Sequence, residues 1–300
     1  MTMLRVAEHA ERSDTGRQRR ANEDAVLARS PLFAVADGMG GAQAGEVAAR
    51  IAVETLEQGL PPGSTSAEQR LGQLVREANA RIHQLSLSDD ARAGMGTTLT
   101  ALHVGADDVT LVHVGDSRCY RLRDGALERL TSDHSLVEEL VRQGRLSPQE
   151  AEDHPQRSII TRALGPELDV EPDGQTLRGR AGDLYVLCSD GLTSMIGDPK
   201  LAEILTSAPS LRDATVQLVD AANAAGGRDN ISVVLLRLEE VESPAADGAD
   251  GVTIVGAPAV RPQEPAPDVP VERRAPTRAP ADAPGKRRRR WRPGLGSALI

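Results

Sequence analysis

The sequence has 300 residues, with 35 basic and 44 acidic side chains and a formal net charge of −9. This length allows one large domain or two small ones, and the acidic balance argues against a nucleic-acid-binding protein. Two cysteines, Cys119 and Cys188, lie in apolar strand-like runs, as is typical of reduced core residues in a cytosolic protein. We recognise no signal peptide and no apolar stretch long enough to span a bilayer, so we expect a cytoplasmic protein.

The predicted elements mix short apolar strands with amphipathic helices. In chain order, we predict strands over residues 3–8, 25–28 and 32–36, helices over about 43–58 and 67–85, and strands over 97–104, 109–114, 120–123 and 126–130. Asp124-Gly125, between the last two strands, is a hairpin signal. Residues 131 to about 173 are polar and partly helical. A strand over 184–188, helices over about 199–205 and 211–224, and a strand over 231–238 complete the compact part.

The composition changes after residue 240. Ten of the 19 prolines fall in the last sixty residues. Such a segment buries too little apolar surface to offset its ordering entropy, so we predict one domain over 1–240 and a disordered Pro/Ala-rich tail over 241–300. The tail contains a basic cluster from Lys286 to Arg292. This cluster is either a solvated end or a contact for anionic lipid or an acidic partner.

Aspartate recurs beside glycine at the ends of apolar β runs. Asp37 follows the strand over 32–36, Asp116 and Asp190 follow two later strands, and Asp229 immediately precedes the last one. A single Asp-Gly pair is usually a turn, but strand ends at one edge of a sheet can bring such carboxylates together. Grouped carboxylates repel one another, and a hard cation such as Mg²⁺ or Mn²⁺ would remove that cost.

Eight short motifs occur in a fixed order between residues 4 and 238. They are Ser13-Asp14-x-Gly16 with Asn22-Glu23-Asp24, Ala36-Asp37-Gly38-Met39-Gly40-Gly41, Gly94-Met95-Gly96-Thr97-Thr98, Gly115-Asp116-Ser117-Arg118, Asp133-His134-Ser135, His154-Pro155-Gln156-Arg157-Ser158, Ser189-Asp190-Gly191-Leu192 and Asp229-Asn230. In order and spacing this set resembles the metal-dependent serine/threonine protein phosphatases of the type 2C or PPM family, especially the bacterial branch. The resemblance implies an α+β fold, a four-layer αββα sandwich of two antiparallel sheets flanked by helices, with a flap subdomain over about 131–173. We expect this flap to be mobile and to contact the protein substrate, although it could also be an ordinary surface insertion.

The resemblance also implies roles for individual residues. Asp37 would bridge two Mn²⁺ or Mg²⁺ ions, with the Gly38 carbonyl completing one site and Glu23 supporting the first ion through water. Asp190 and Asp229 would hold the second ion. Arg19 would bind the substrate phosphate, although Arg17 and Arg20 stand close to it in sequence. A water activated by the two ions would attack phosphorus in line, without a phosphoenzyme.

Two positions depart from the family pattern. Bacterial relatives often bind a third ion with an aspartate at the position of Ser194, together with the aspartates at 116 and 190. We therefore keep Asp116 as a third-site ligand and add Ser158 as a candidate substitute. Met39 stands where some eukaryotic relatives have a histidine, and its thioether cannot donate a proton to the leaving group.

Other catalytic classes fit the sequence less well. Neither cysteine is followed six residues later by arginine, which excludes a cysteine-based phosphatase, and no P-loop is present. Neighbours in sequence rarely form a triad, so Asp133, His134 and Ser135 are expected to form a loop beside the site. His113 alternates with apolar residues and is expected to be a strand histidine rather than a ligand.

The combined prediction is a monomeric protein phosphatase that reverses bacterial Ser/Thr kinase signalling. Its expected partners are phosphorylated proteins, including Ser/Thr kinases and their substrates. It would be cytoplasmic, with peripheral membrane contact through the basic cluster as an open alternative. Two other functions stay open: a catalytically weak phosphoprotein-binding regulator, motivated by Ser194, and a phosphatase of an anti-sigma antagonist.

Overall fold

The computed structural model describes residues 2–40, 44–88, 90–152 and 154–242. The strands in these ranges are β1 (Thr2–Asp14), β2 (Ala25–Arg29), β3 (Leu32–Ala36), β4 (Gly38–Met39), β5 (Gly96–Thr97), β6 (Leu99–Val104), β7 (Asp108–Val114), β8 (Arg118–Arg123), β9 (Ala126–Arg129), β10 (Asp173–Arg178), β11 (Leu184–Cys188) and β12 (Ile231–Glu242). The helices are α1 (Ala44–Glu57), α2 (Ala67–Ser88), α3 (Leu136–Arg142), α4 (Pro148–Glu152), α5 (Asp190–Thr193), α6 (Asp198–Ser207) and α7 (Leu211–Ala224).

Two five-stranded antiparallel sheets form the centre of the protein. Their strand orders are β1-β12-β11-β8-β9 and β10-β7-β6-β3-β2. Apolar side chains from both sheets, among them Phe33, Leu102, Tyr185 and Leu236, form a buried cluster between them. The predicted α+β sandwich is therefore present in the structure.

The helices cover the outer face of each sheet. Along β3, Phe33 belongs to the cluster between the sheets, whereas Ala34 belongs to the cluster that includes buried residues of α1 and α2. On the other sheet, Leu235 packs in a cluster with residues of α6 and α7. Because both faces of the central strands are buried, these strands read in the sequence as continuous apolar runs rather than as alternating patterns.

The edge strands differ most from the sequence prediction. β1 extends to Asp14, well past the predicted end at residue 8, and pairs with β12 along its whole length with an irregularity between Val6 and Glu8. The strand β10 pairs with β7 but was not predicted at all. An edge strand with an exposed face carries polar residues, so its sequence gives no apolar run.

The connections show further differences at the functional end of the sandwich. Gly38 and Met39, for which no strand was predicted, pair with Thr97 and Gly96 as the short ladder β4-β5. The predicted hairpin at Asp124-Gly125 is present, and both residues have a positive φ. Positive φ at both central positions is the conformation of the tight turns that connect twisted antiparallel strands.

Residues 131–173, the predicted flap, connect β9 at the edge of the first sheet to β10 at the edge of the second. The described part holds α3 and α4, and an isolated bridge between Ser135 and Ile160 closes its base. The Ser135 hydroxyl accepts a hydrogen bond from the backbone of Glu138 and so caps α3. The mobility and substrate contact of this segment stay predictions.

The last strand, β12, continues to Glu242, past the predicted strand end at residue 238. The predicted tail beyond Glu242, with its basic cluster from Lys286 to Arg292, lies outside the described residues. No helix in the described ranges is both long and apolar enough to cross a membrane.

Candidate active site

A cavity of about 350 Å³ opens where several strands begin or end. Its lining consists of Arg19, Glu23, Asp37, Gly38, Met39, Gly40, Asp116, Ser158, Ile160, Asp190 and Asp229. Asp37 directly follows β3. A single residue separates Asp116 from the end of β7, and a single residue separates Asp229 from the start of β12. The structure thus brings all eight residues that the sequence singled out for catalysis and metal binding into one cavity.

Backbone contacts fix the position of Asp37. Its amide N–H donates to Thr98 Oγ1 at 3.0 Å, and its carbonyl accepts from the amide of Thr98 at 2.9 Å. The hydroxyl of Thr97 donates to the same carbonyl at 2.9 Å. These bonds depend on the β4-β5 ladder, which carries Thr97 to the end of β3.

Gly38 is required by close packing of the backbone. A Cβ atom at this position would lie 2.3 Å from the carbonyl oxygen of Gly45 and 2.5 Å from that of Glu23. No side chain can occupy that space without moving both segments. The absence of a side chain therefore lets α1 and the Glu23 segment approach the end of β3.

Asp190 and Asp229 are held by the close approach of two other segments. A Cβ atom at Gly191 would lie 2.0 Å from the carbonyl oxygen of Asn230. The side chain of Asn230 donates to the carbonyls of Thr15 and Ala21 at 3.0 and 2.9 Å. Its Oδ1 accepts from the amide of Glu23 at 2.8 Å. Asn230 therefore ties the start of β12 to the loop that carries Arg19 and Glu23.

Arg19 lies at the partly exposed side of the cavity. Its Nη2 donates to Asp229 Oδ2 at 2.6 Å, with the two side chains 49% and 27% exposed. The same loop is anchored where the amides of Arg17 and Gln18 donate to the carbonyl of Gly227 at 2.7 and 3.2 Å. Of the three arginines that the sequence left as candidates, Arg19 lines the cavity, whereas Arg17 and Arg20 are exposed and do not.

The grouped carboxyl groups disfavour one another's charge. Burial, followed by the charges of Asp24 and Asp190, raises the pKa of Asp37 well above its usual value. Burial and the charge of Asp229 raise the pKa of Asp190 to about 6. Burial and the charge of Asp190 likewise raise the pKa of Asp116. A cluster with this much uncompensated negative charge favours a bound cation.

The donor set fits a hard divalent cation. Within the part of the chain that the structure describes, the lining offers carboxylate and backbone oxygens and no cysteine or histidine, which is the chemistry that suits Mg²⁺ or Mn²⁺. Among the described residues, no three His, Cys, Asp or Glu side chains already converge in a metal-holding arrangement. Asp229 is paired with Arg19, and Asp190 and Asp37 lie close enough to change each other's pKa. These carboxyl groups would turn from their present partners to hold a cation.

The residues tied to a third ion lie in different places. Asp116 is buried, and Ser158 lines the cavity from the predicted flap with an exposed side chain. Ser194 is exposed at the end of α5, where its amide donates to the carbonyl of Asp190 at 2.8 Å, and it does not line the cavity. Met39 lines the cavity.

Asp133, His134 and Ser135 do not form a triad. Asp133 accepts hydrogen bonds from Arg118 Nη2 at 2.8 Å and from Arg129 Nη2 at 2.5 Å. His134 bonds to the backbone of Gly115. The expected loop role beside the site is therefore what the structure contains. His113 is buried in β7 with its Nδ1 2.9 Å from Thr100 Oγ1, as expected of a strand histidine.

Sequence reasoning gave no role to two residues of the quoted motifs that support the site. Asp24 accepts from the hydroxyl of Ser189 at 2.9 Å, and burial raises its pKa to about 7. Its place directly before an apolar strand was a usable signal, the same one that marked the other aspartates. Thr98 gave no comparable signal, because its contact with Asp37 depends on the unpredicted pairing of β4 with β5.

Comparison with known proteins identifies the family. Residues 15–235, most of the chain, match the family model described as protein phosphatase 2C. The chain belongs to the protein phosphatase 2C family. The predicted family is therefore confirmed.

Two bacterial protein phosphatase 2C relatives show how far the similarity extends. The chain is 44% identical over 234 residues to the serine/threonine protein phosphatase PstP of Mycobacterium tuberculosis, covering 77% of this chain and 45% of PstP. The chain thus spans less than half of PstP's length. It is 40% identical over 242 residues to the protein phosphatase PhpP of Streptococcus pneumoniae, covering 77% of this chain and 97% of PhpP.

Solved protein phosphatase 2C structures confirm the predicted sandwich. The crystal structure of the Mycobacterium tuberculosis phosphatase PstP/Ppp superposes with a TM-score of 0.74 at 43% identity, covering 79% of this chain and 99% of that one. The PstP catalytic domain in complex with two manganese ions gives a TM-score of 0.71 at 39% identity, with coverages of 79% and 99%. The name of the Mycobacterium tuberculosis relative and the two manganese ions of the PstP complex agree with the predicted enzyme class and cofactor.

Proposed function

We propose that the protein hydrolyses phosphoserine and phosphothreonine in phosphorylated proteins, with two Mn²⁺ or Mg²⁺ ions. The observation that carries this proposal is the gathering of Glu23, Asp37, Asp116, Asp190 and Asp229 around one cavity with Arg19 at its open side. A cavity lined only by carboxylates would repel a phosphate dianion, so the reaction needs cations to offset that charge. The names of the mycobacterial and streptococcal relatives support the same activity.

The residues proposed to hold the two ions follow from their places in the cavity. The charges of Asp190, Asp116 and Asp229 all act on Asp37, which suits a carboxylate shared by two ions. The Gly38 carbonyl and Glu23 complete one site, and Asp190 and Asp229 form the other. When bound, such ions neutralise phosphoryl oxygens and lower the pKa of a coordinated water.

Arg19 is proposed to bind the substrate phosphate. Its guanidinium group is half exposed and is already hydrogen-bonded to an oxyanion, the carboxylate of Asp229, at 2.6 Å. A guanidinium group can donate two parallel hydrogen bonds to a phosphoryl group in the same way. Arg19 would therefore exchange Asp229 for the phosphate when the substrate enters.

A third ion would depend on Asp116 and Ser158. Asp116 reaches the cavity from β7, and Ser158 reaches it from the predicted flap. Ser194 takes no part, because it lies outside the lining. With one carboxylate fewer than an aspartate at 194 would supply, we expect this site to bind its ion more weakly than the other two.

The physiological substrates are proposed to be proteins phosphorylated by bacterial Ser/Thr kinases, and the kinases themselves. The relatives named as serine/threonine phosphatases support this class.

The test is phosphate release from phosphothreonine and phosphoserine peptides with Mn²⁺, compared with the same reaction in excess chelator and with a phosphotyrosine peptide. We expect many turnovers of the first two peptides, loss of turnover in chelator and slow turnover of the third. Tight peptide binding without turnover at saturating Mn²⁺ would instead support the phosphoprotein-binding regulator.

A further inference from the structure

His134 joins two segments that reach the cavity from different parts of the chain. Its amide donates to the carbonyl of Gly115 at 2.7 Å, and its carbonyl accepts from the amide of Thr161 at 2.8 Å. Gly115 precedes Asp116, and Thr161 follows Ile160, so each neighbour adjoins a residue of the lining. The backbone of His134 therefore lies between the Asp116 loop and the flap segment.

The imidazole ring adds a second bond to the same glycine. The amide of Gly115 donates to His134 Nδ1 at 3.0 Å, so both polar backbone groups of Gly115 are bonded to His134. A nitrogen that accepts a hydrogen bond carries no proton, which places the ring proton of neutral His134 on Nε2. Nε2 lies 3.2 Å from Asp173 Oδ2, which can accept that proton in a hydrogen bond. Arg162 Nη1 is also 3.1 Å from Nε2, but its two N–H groups have acceptors in Asp173 Oδ1 and the carbonyl of Glu171, at 2.6 and 3.0 Å.

The side chain is held in one orientation by its surroundings. It is buried, and its ring packs against that of His113 with centroids 4.9 Å apart. Arg162 Nη1 donates to Asp173 Oδ1 at 2.6 Å and so fixes the carboxylate that faces Nε2. The acceptor nitrogen is therefore pre-aligned toward Gly115.

No side chain fits at the position of Gly115. Its φ is +111°, and a Cβ atom there would lie 2.6 Å from the Cβ of Thr98. Thr98 is the residue that bonds to both polar backbone groups of Asp37. A shift of Gly115 would therefore move Asp116, its sequence neighbour, and would disturb Thr98, which supports Asp37.

We propose that His134 is a positioning residue that fixes Asp116 for binding the weaker, third ion by holding the backbone of Gly115 from both sides. The proposal rests on the proposed function only in assigning a bound ion to Asp116. The hydrogen bond itself, and its effect on the Gly115 loop, can be tested without any turnover.

Two substitutions separate the two ring nitrogens. In His134→Asn, the side-chain oxygen takes the place of Nδ1 and keeps an acceptor for Gly115, while the contact with Asp173 is lost. In His134→Gln, the amide reaches the place of Nε2 and keeps the contact with Asp173, while the acceptor for Gly115 is lost. The backbone bonds of residue 134 are the same in both variants.

The first measurement is amide hydrogen exchange over residues 111–118 in the full chain without metal. We expect His134→Gln to speed exchange at Gly115 by about tenfold or more, because one hydrogen bond of the amide is gone, and His134→Asn to stay within about twofold of the unsubstituted protein. Unchanged exchange in His134→Gln overturns the proposal, whatever the activity of the variants.

The second measurement is the Mn²⁺ dependence of phosphate release, taken well below the melting temperature of each variant. We expect the part of the Mn²⁺ activation that occurs at higher Mn²⁺ concentration, which reports the weaker, third ion, to need about tenfold more Mn²⁺ in His134→Gln. In His134→Asn we expect it to stay at the concentration of the unsubstituted protein. Faster exchange with equal Mn²⁺ profiles for both variants would refute the role of His134 in positioning Asp116. If neither the unsubstituted protein nor either variant releases phosphate, but the Gly115 amide exchanges faster in His134→Gln alone, the proposed function is refuted. The role of His134 in holding the backbone of Gly115 then still stands.

Discussion

Thr98 and Asp37 bond to each other through two hydrogen bonds beside the cavity. The amide of Asp37 donates to Thr98 Oγ1 at 3.0 Å, and the amide of Thr98 donates to the Asp37 carbonyl at 2.9 Å. Thr98 Oγ1 also lies 2.7 Å from the hydroxyl of Ser117, and both residues are buried. The central carboxylate of the site therefore has its backbone fixed by a neighbouring strand rather than by its own loop.

Replacing Thr98 by valine tests this support. Thr98→Val leaves the amide of Asp37 and the hydroxyl of Ser117 without their buried partner, which we expect to cost about 1–3 kcal/mol in the free energy of unfolding. Activity should fall as well, because Asp37 loses its alignment. Thr98→Ser keeps the hydroxyl and should retain most of the activity. Denaturant unfolding and phosphate release measure the two effects, and a valine variant with normal stability and activity would contradict the account.

Arginine substitutions in the loop over residues 15–22 test which side chain binds phosphate. We expect Arg19→Ala to lower kcat/KM for a phosphopeptide by about 10- to 100-fold, since charge-assisted hydrogen bonds contribute about 1.5–3 kcal/mol. Arg17→Ala and Arg20→Ala are matched controls, because these exposed side chains do not line the cavity. Steady-state kinetics on the three variants decides the matter. A larger loss in either control than in Arg19→Ala would reassign the phosphate contact.

Glycine substitutions test the close approach that brings Asp190 and Asp229 together. Gly191→Ala places a Cβ atom 2.0 Å from the carbonyl oxygen of Asn230, so the two segments must separate. We expect a loss of about 1–3 kcal/mol in stability together with weaker metal-dependent activity. Gly72→Ala is the control. Its Cβ would make only ordinary van der Waals contacts. Gly72 lies inside α2, and in a helix interior alanine is favoured over glycine by about 0.5–1 kcal/mol. Equal thermal stability of the two variants would refute the close-packing argument.

The stability of the metal-free protein should depend on pH through the carboxyl cluster. Burial and the charge of Asp229 raise the pKa of Asp190 to about 6. The folded protein therefore binds more protons than the unfolded chain between about pH 4 and 6, so this stabilisation is complete at low pH and is lost as the pH rises through about 6. We expect Asp190→Asn to raise the melting temperature in chelator at pH 8 and to change it little at pH 4. A variant that is less stable than the unsubstituted protein at pH 8 would be inconsistent with repulsion in the cluster.

Much of the interior was predictable because its strands are buried on both faces. The run over 32–36 coincides with β3, and the aspartates at the ends of such runs, Asp37 and Asp190 among them, do line one cavity. The second half of β1 and all of β10 were not predictable, since edge strands gain their hydrogen bonds from a partner and carry polar side chains.

The supporting contacts of the site were less accessible from the sequence than its ligands. The ion pair of Arg19 with Asp229 and the bonds of Asn230 join residues about 210 positions apart. No local pattern encodes such contacts, because they exist only after both sheets have formed. The place of Ser194 outside the cavity likewise depends on the unpredicted helix α5.

The most direct test of the central claim is Mn²⁺-dependent phosphate release from a phosphothreonine peptide by Asp37→Asn. The matched control is Asp220→Asn, which removes one exposed carboxylate of α7 that does not line the cavity. We expect Asp37→Asn to lower kcat by about a thousandfold or more, since cation stabilisation of the reacting phosphate contributes several kcal/mol, and the control to remain near the unsubstituted rate. Activity of Asp37→Asn within about twofold of the control, at saturating Mn²⁺, would contradict a metal-dependent reaction centred on Asp37.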